Sequence, residues 1–369
     1  MKAISLFSGC GGVDFALREL GVDVVMANDI IPETKDVFKK YFPEVDFILD
    51  DIRNIKTFPK VDIVTGGYPC QSFSMGGNRK PEKDPRTFLF KEFARAIDEA
   101  NPKYFIAENV SGLKSVQDGR WLKLQMDTFN NIGSHGYSIA SKIVNARDFG
   151  VPQRRKRVFI IGIRKDLGLY YHFPKPTHCK AKEVRKKNLK PYTSHGDAIS
   201  HLPLDAPGEF YERPHDPKGN FSWYYMSRNR KANWAEPAYT VVANFRHLTL
   251  HPASPTMEML WSNLADGFKQ EWAFTDQYEH LAVDPGRAFL EKPRRLSWRE
   301  CAAIQTFPKD FEVFGKLERK FEQIGNAVPP ALMEAIAAGL VTGKCLSPIP
   351  GENDLNFEQL DKAQLNFSY

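Results

Sequence analysis

Residues 2–12 read KAISLFSGCGG, and this stretch decides the fold. Lys2–Leu6 is an apolar run of strand length, and Phe7–Gly12 is a glycine-rich turn. Val13, Ala16, Leu17 and Leu20 then recur at the spacing of one helix face. Strand, glycine turn and helix in that order open a doubly wound α/β domain, with ligands at the carboxyl ends of the strands. Outward from there, Val22–Ala27, Val45–Ile48 and Val61–Thr65 read as strands, followed by Tyr104–Ala107, Tyr137–Ile143 and Val158–Ile163. Phe88–Ala100 reads as a helix with Phe90, Phe93, Ala94 and Ile97 on one stripe. This alternation predicts a mainly parallel sheet covered on both faces.

The chain has 369 residues, enough for about two domains or one large domain carrying an insertion. Hydrophobic residues make up 42% and charged residues 26%, and the net charge is a mild +6. No apolar run reaches the ~18 residues of a membrane span, and the N-terminus reaches glycine too early for a signal peptide. Five cysteines at positions 10, 70, 179, 301 and 345 form no CxxC pair, which argues against a disulfide framework or a zinc knuckle. A cytoplasmic protein with no metal is expected.

The character changes near residue 165. Lys175–Lys231 holds twelve basic and six acidic residues, and four of the six tryptophans fall between Trp223 and Trp272. Helical periodicity returns at Ser297 and Glu300, which have capping-box spacing, and in a last helix with Val328, Leu332, Ile336 and Leu340 on one face. Residues 1–165 and 294–346 are therefore expected to form one domain. An irregular β-and-loop segment, 166–293, is inserted in it, and 347–369 reads as a tail.

Five strand ends carry candidate chemistry. The Phe7–Gly12 turn allows close backbone approach to a ligand, and Asp29 and Asp51 follow the next two strands, where carboxylates suit ribose hydroxyls and an adenine edge. The dinucleotide fingerprint would need glycine where Asp14 stands. The loop GGYPCQSFS, 66–74, sets Cys70 in polar surroundings, where a thiol is the most nucleophilic side chain near neutral pH. Ala107-Glu108-Asn109-Val110 brings a carboxylate to the same edge. Gln153-Arg154-Arg155-Lys156-Arg157 adds cations, seven basic residues against one acid from Arg147 to Lys165.

With those motifs in view, the chain resembles the S-adenosylmethionine-dependent DNA cytosine-5 methyltransferases of bacterial restriction-modification type. FSGCGG (7–12), GGYPCQSFS (66–74), ENV (108–110), QRRKR (153–157), RRLSWRECAAIQTFP (294–308) and QIGNAVPP (323–330) occur in the family's order. The resemblance implies a Rossmann-like methyltransferase domain and a smaller inserted target-recognition domain. It implies that Cys70 attacks carbon 6 of cytosine, that Glu108 acts on ring nitrogen 3, and that Arg157, with Arg155 beside it, clamps the carbonyl oxygen. Phe7, Ser8, Gly9, Gly11, Gly12, Asp29, Ile30, Asp51, Ile52, Pro69, Leu89, Asn326 and Ala327 would hold the cofactor. Phe7 would stack on adenine, Asp29 hold the ribose, and Leu89 and Asn326 lie near the methionine part. Family members often carry glutamate and tryptophan where Asp29-Ile30 stands, and serine where Ala327 stands.

The loop Met75–Thr87 is a candidate cover for a flipped base. Gln71, Ser74, Arg228, Arg230, Thr240 and Arg246 are the candidate DNA contacts, with Thr240-Val241 matching the Thr–aliphatic pair of the family's target-recognition domain. Double-stranded DNA is the expected partner of a monomer, and a cognate restriction endonuclease the expected companion, with no stable complex implied. The rivals are the tRNA-methylating branch of the family, a nicotinamide-dependent oxidoreductase and a non-catalytic DNA-binding protein.

Overall fold

Lys2–Leu6 can be a strand because its residues serve two cores at once. Ala3 packs on one face and Ile4 and Leu6 on the other, in the period of two that a strand imposes. In Lys156–Arg164 likewise, Phe159 and Ile161 join the first core while Val158 and Ile160 join the second. A sheet buried on both sides needs helices on both sides. The computed structural model, which describes residues 1–69, 85–213, 221–264 and 267–349, supplies them.

The order is β1 (Lys2–Leu6), α1 (Gly12–Glu19), β2 (Asp23–Asp29), α2 (Pro32–Tyr41), β3 (Asp46–Leu49) and β4 (Ile63–Gly66). It continues with α3 (Leu89–Ala100), β5 (Tyr104–Val110), α4 (Arg120–Asn130), β6 (Tyr137–Asn145) and β7 (Lys156–Arg164). The strands assemble as β3-β2-β1-β4-β5-β7-β6, parallel except for β7, which is antiparallel to both its neighbours. The mainly parallel sheet expected from the sequence is therefore present. Helices α2 and α4 were not singled out in the sequence, and α1 is buried over a wider arc than its apolar stripe. Phe15 of α1 meets Phe42, Phe307 and Phe311 edge-on, with centroids 4.8–5.9 Å away.

After β8 (Leu169–Tyr171) the elements are short: β9 (His178–Cys179), α5 (Val184–Lys187), β10 (Lys190–Pro191), α6 (His195–Ile199) and α7 (Trp223–Met226). A two-stranded ribbon of β11 (Met257–Leu264) and β12 (Gly267–Phe274) follows, then α8 (Glu279–Val283). This irregular stretch shares the main core. Trp234, Ala238, Val241, Leu248 and Ala253 pack in the same cluster as Phe15 and Ile161, and a small satellite core gathers Tyr225, Leu250 and Met257.

The chain then returns through α9 (Trp298–Ile304), α10 (Leu317–Asn326), α11 (Pro330–Val341) and β13 (Leu346–Pro348). The capping box at α9 is formed, with Ser297 Oγ accepting from the Glu300 amide at 3.1 Å and Glu300 accepting from the Ser297 amide at 2.7 Å. Strand β13 pairs antiparallel with β8. Leu317–Val341 is apolar enough for a membrane span, but its backbone turns extended at Ala327 and Pro329. It is two helices of 10 and 12 residues, largely buried against the sheet domain.

Two glycines are fixed by close approach. A Cβ on Gly12 would lie 2.3 Å from the Val328 carbonyl oxygen, and one on Gly325 would lie 2.3 Å from the Ala243 nitrogen. The neighbour is backbone in both cases and cannot swing aside. Gly325→Ala is expected to destabilise the protein by about 1–3 kcal/mol, the usual cost of overpacking. The urea unfolding midpoint checks this, and an unchanged midpoint would refute the close approach.

Candidate active site

The carboxyl ends of β1, β2, β4 and β5 form one edge. Leu6 pairs with Asn28 and with Gly66, and Gly66 with Ala107, so the segments that follow them leave the sheet side by side. The glycine turn is tied to β2 by Asp29. Asp29 Oδ2 accepts from the Gly9 amide at 2.7 Å and Oδ1 from the Ile31 amide at 2.9 Å. Ser8 donates its amide and its hydroxyl to the Asn28 carbonyl at 3.0 and 3.2 Å. Phe7 takes a left-handed conformation with φ 54°, and Gly9, also left-handed, has no atom within 4 Å of where a Cβ would be. Burial raises the Asp29 carboxyl above its usual range, opposed by the amides of Ile31, Gly9 and Ile30.

The other expected cofactor residues separate into exposed and buried. Ile30 is 64% exposed at the strand end, Asn326 is exposed, and Leu89 and Ala327 are half-buried. Asp51 caps the short turn Ile52–Asn54 through the Arg53 amide at 3.0 Å and pairs with the Arg53 guanidinium, which holds its carboxyl below the usual range. Ile52 lies in the core beneath, 3% exposed. Asp14, at the fingerprint position, is fully buried and accepts from Ser5 Oγ at 3.1 Å. Burial pushes its carboxyl up to about 7. Its place is structural, which accounts for a carboxylate where a dinucleotide turn has glycine.

At the end of β5, Glu108 Oε1 lies 2.9 Å from Arg157 Nε, and both side chains are nearly buried. Burial raises the Glu108 carboxyl, with Arg157 first and Arg155 second opposing it. Gly67 approaches so closely that a Cβ there would sit 3.3 Å from Glu108 Oε2. Asn109 Nδ2 donates to the Tyr68 carbonyl at 3.4 Å, and Tyr68 OH donates to Gln125 Oε1 at 2.7 Å. The chain is thus held against Glu108 up to Tyr68. Cys70, Gln71, Ser74 and most of the loop 75–87 lie outside the described residues. Beside the Glu108–Arg157 pair is a polar cleft of about 370 Å³ walled by Ser111, Arg147, Arg154, Lys156, Arg157 and Thr240. A larger cavity, about 1080 Å³, lies away from this edge among Phe210, Trp223, Trp272 and Phe274.

Arg155 is placed differently from Arg157. It is 1% exposed, and its guanidinium donates to the carbonyls of Val241 at 3.0 Å, Gly325 at 3.0 Å and Ala327 at 2.9 Å. Arg155 was expected among the catalytic residues; both of its terminal nitrogens are engaged in joining three segments. Thr240 likewise donates to the Arg154 carbonyl at 2.6 Å, and Val241 N donates to Gln153 Oε1 at 3.1 Å. The sequence reading did not single out the buried glutamines that extend this joint. Gln153 donates to Gln305 Oε1, and Gln305 donates to the Ile324 carbonyl at 2.6 Å. Glutamine inside two otherwise chemical motifs was the available signal.

Of the remaining DNA candidates, Arg228 and Arg246 are exposed. Arg230 is half-buried, donating from Nε to the Tyr225 carbonyl at 3.0 Å and lying over the Tyr225 ring. Among the described residues no group of three metal-ligating side chains converges.

The Glu108–Arg157 pair yields a pH-dependent expectation. A carboxyl raised on folding gives stability that is full below its unfolded pKa and lost as pH rises through the folded value. Arg157→Gln removes the main opposing cation, so the loss on going from pH 5 to pH 8 should grow, within the roughly 3–5 kcal/mol typical of a broken buried pair. Urea unfolding of both proteins at the two pH values measures it, and an equal pH dependence would contradict the coupling.

Comparison with known proteins bears on this edge. The family model described as C-5 cytosine-specific DNA methylase matches residues 1–342. Type II methyltransferase M.BsuRI of Bacillus subtilis is 34% identical over 377 residues, spanning 92% of this chain and 78% of that protein. Type II methyltransferase M.FnuDI of Fusobacterium nucleatum is 36% identical over 352 residues, spanning 91% and 93%. Among solved structures, a prophage-encoded DNA modification methyltransferase from E. coli superposes with TM-score 0.63 at 20% identity, covering 93% of this chain and 99% of that one. Dnmt2 methyltransferase of S. pombe superposes with TM-score 0.59 at 16% identity, covering 93% and 99%. These two show the fold. With the family matched over almost the whole chain, the protein belongs to the C-5 cytosine-specific DNA methylases and is a DNA cytosine-5 methyltransferase.

Proposed function

We propose that the protein transfers a methyl group from S-adenosylmethionine to carbon 5 of a flipped-out cytosine in a specific duplex sequence, with Cys70 as nucleophile, as the modifying partner of a restriction endonuclease. The observation that carries this reading is the Glu108–Arg157 pair, held 2.9 Å apart against the Gly67 backbone three residues before Cys70. The other four cysteines support the assignment. Cys10, Cys179 and Cys301 are buried, and burial raises the thiols of Cys10, Cys301 and half-buried Cys345, which disfavours thiolate.

The edge fits adenosylmethionine. The open side of Gly9, the half-buried Phe7 ring and the exposed Ile30 supply surface for an adenosine, and the Asp29 and Asp51 carboxylates supply acceptors for its hydroxyl and amino groups. When bound, the cofactor supplies an electrophilic sulfonium methyl. Carbon 6 is out of reach inside a duplex, so the base leaves the stack. Cys70 adds to carbon 6 as Glu108 donates a proton or strong hydrogen bond to nitrogen 3, while Arg157 holds the carbonyl oxygen. Carbon 5 then carries enamine character and would take the methyl as the methyl–sulfur bond of the bound sulfonium breaks, the sulfur keeping the electron pair as a neutral thioether. A base removes its proton, and the Cys70 sulfur departs with the electron pair of the carbon–sulfur bond. The raised Glu108 carboxyl suits this work, since a general acid must keep its proton near the working pH.

The segment 166–293 is proposed to choose the site. The chemistry at the strand ends is the same for any cytosine, whereas Arg228 and Arg246 are exposed with side chains able to read base edges or contact phosphates.

Three outcomes are expected. Cys70→Ser removes tritiated methyl transfer to duplex DNA while DNA binding persists; near-normal turnover would exclude Cys70 as nucleophile. Glu108→Gln lowers the single-turnover rate by about 10²–10⁴-fold with cofactor affinity by calorimetry little changed. An unaltered rate would remove Glu108 from the chemistry. A chimera carrying the 166–293 segment of a relative methylates the donor's site, read by bisulfite sequencing. An active chimera that still marks the original site would place specificity elsewhere.

A further inference from the structure

We infer that the strip Lys175–Lys190 is a phosphate-binding surface that grips the duplex to one side of the target site, adding affinity without reading sequence or touching the reacting base. The inference rests on the reading of duplex DNA as substrate. Within these 16 residues stand Lys175, Lys180, Lys182, Arg185, Lys186, Lys187 and Lys190, against the single acid Glu183. All seven cations are exposed. Glu183 is engaged by Lys187 at 2.7 Å, and among the described residues Lys182, Arg185 and Lys186 have no carboxylate partner. Such a concentration of one sign repels itself in the free protein and is relieved by a polyanion.

The strip is built against the catalytic edge. Its two short strands, β9 and β10, pair with one another in parallel. Thr177 N donates to the Asp148 carbonyl at 2.9 Å, and Tyr192 OH donates to Asp148 Oδ1 at 3.0 Å. The Arg147 guanidinium lies 4.8 Å from the centre of the Tyr192 ring, and Gly150 packs on the His178 ring. Arg147 is itself a wall of the polar cleft, with Arg154, Lys156 and Arg157. The Asp148 carboxylate feels Arg147 and Lys156 from the cleft and Lys187 from the strip. A continuous cationic band therefore runs from the cleft beside Glu108 onto the strip.

A DNA strand carries one phosphate every ~3.4 Å, so a duplex centred on the cleft presents a row of anions to such a band. The strip has few groups suited to base reading. Its exposed charged side chains are six lysines and one arginine on a short two-stranded support, with Thr177 and Asn188 the exposed uncharged polar residues, and lysine is a flexible point charge rather than a planar fork. Flanking backbone contact is the function that composition serves. It also accounts for a basic excess in a segment that no catalytic motif occupies.

The test uses the full chain with Lys182→Gln, Arg185→Gln and Lys186→Gln combined. Binding to a 40-base-pair duplex and to a 12-base-pair duplex, both carrying the site mapped by bisulfite sequencing, is followed by fluorescence anisotropy over a series of KCl concentrations. Each lost phosphate contact lowers the slope of log K against log salt by about 0.9, so the triple variant should lose roughly 2–3 from the slope on the long duplex. The slope on the short duplex and the single-turnover methylation rate at saturating DNA should stay as in the unaltered protein. An undiminished slope on the long duplex overturns the inference. A reduced rate at saturating DNA overturns it as well, because the strip would then act on chemistry. A loss of binding seen with tRNA and not with duplex DNA overturns it in favour of a different polyanion. If the unaltered protein itself transfers no methyl to DNA, the proposed function fails, an outcome read before any variant is made.

Discussion

Arg155 carries a full positive charge to a place that is 1% exposed, and three carbonyl oxygens from two distant stretches of chain meet it there. Burial and the neighbouring Arg157 both disfavour that charge, and Glu108 favours it. A buried cation left without acceptors costs several kcal/mol, so the carbonyls of Val241, Gly325 and Ala327 are constrained to converge on this point. Gly325 is compelled by the same junction, since the Val242–Ala243 backbone crosses where its side chain would be. The glutamines Gln153 and Gln305 complete the joint with hydrogen bonds in a fully buried setting. Three motifs, at 153–157, 240–243 and 323–327, are thereby one structural unit. Arg157, two residues along β7, reaches the catalytic edge because Arg155 pins the start of that strand.

Carboxylates around the glycine turn show how environment separates roles. Asp14 is buried with a single hydroxyl donor, and its pKa rises to about 7. Asp29 is nearly as buried but accepts two backbone amides, so it shapes the turn. Asp51 lies nearer solvent with a guanidinium beside it, and it is held ionised. Glu108 combines burial, which raises its pKa, with a cation 2.9 Å away, which lowers it. Of these carboxyls Glu108 is the one whose raised pKa is set against a directly paired guanidinium at the strand edge, an arrangement that suits general acid work.

The same economy governs the return into the catalytic body after residue 293. Arg294 binds Glu300 through two hydrogen bonds of 2.9 and 2.7 Å and donates to the Leu204 carbonyl, while Glu300 also closes the capping box on Ser297. His251 lies 3.4 Å from Glu300, held neutral by burial and by Arg294. Arg295 is enclosed by the rings of Tyr211, Phe221 and Tyr225 at 4.4–5.1 Å. The basic residues of this motif, which in the sequence could pass for phosphate contacts, are spent on fastening the irregular segment to α9.

The sequence by itself determined the strand–turn–helix opening, the sheet and its ligand edge. Apolar period, glycine and strand length are local properties, and Ala3, Ile4, Phe93 and Ile161 could be assigned to a core without any partner being known. It also determined the family and the motifs at the strand ends, because Glu108 and Asp29 follow their strands directly in the chain. Tertiary structure alone decided which motif residues face the cleft and which hold the molecule together. Arg155 and Arg157 are two apart in the chain, one just before β7 and one within it, and look alike in sequence. Yet one is bound by carbonyls more than 80 residues away while the other pairs with a carboxylate on the neighbouring strand. Ile30 and Ile52 likewise each follow an aspartate beyond a strand end, one 64% and the other 3% exposed. Such distinctions depend on contacts between residues far apart in the chain, and no local pattern encodes them.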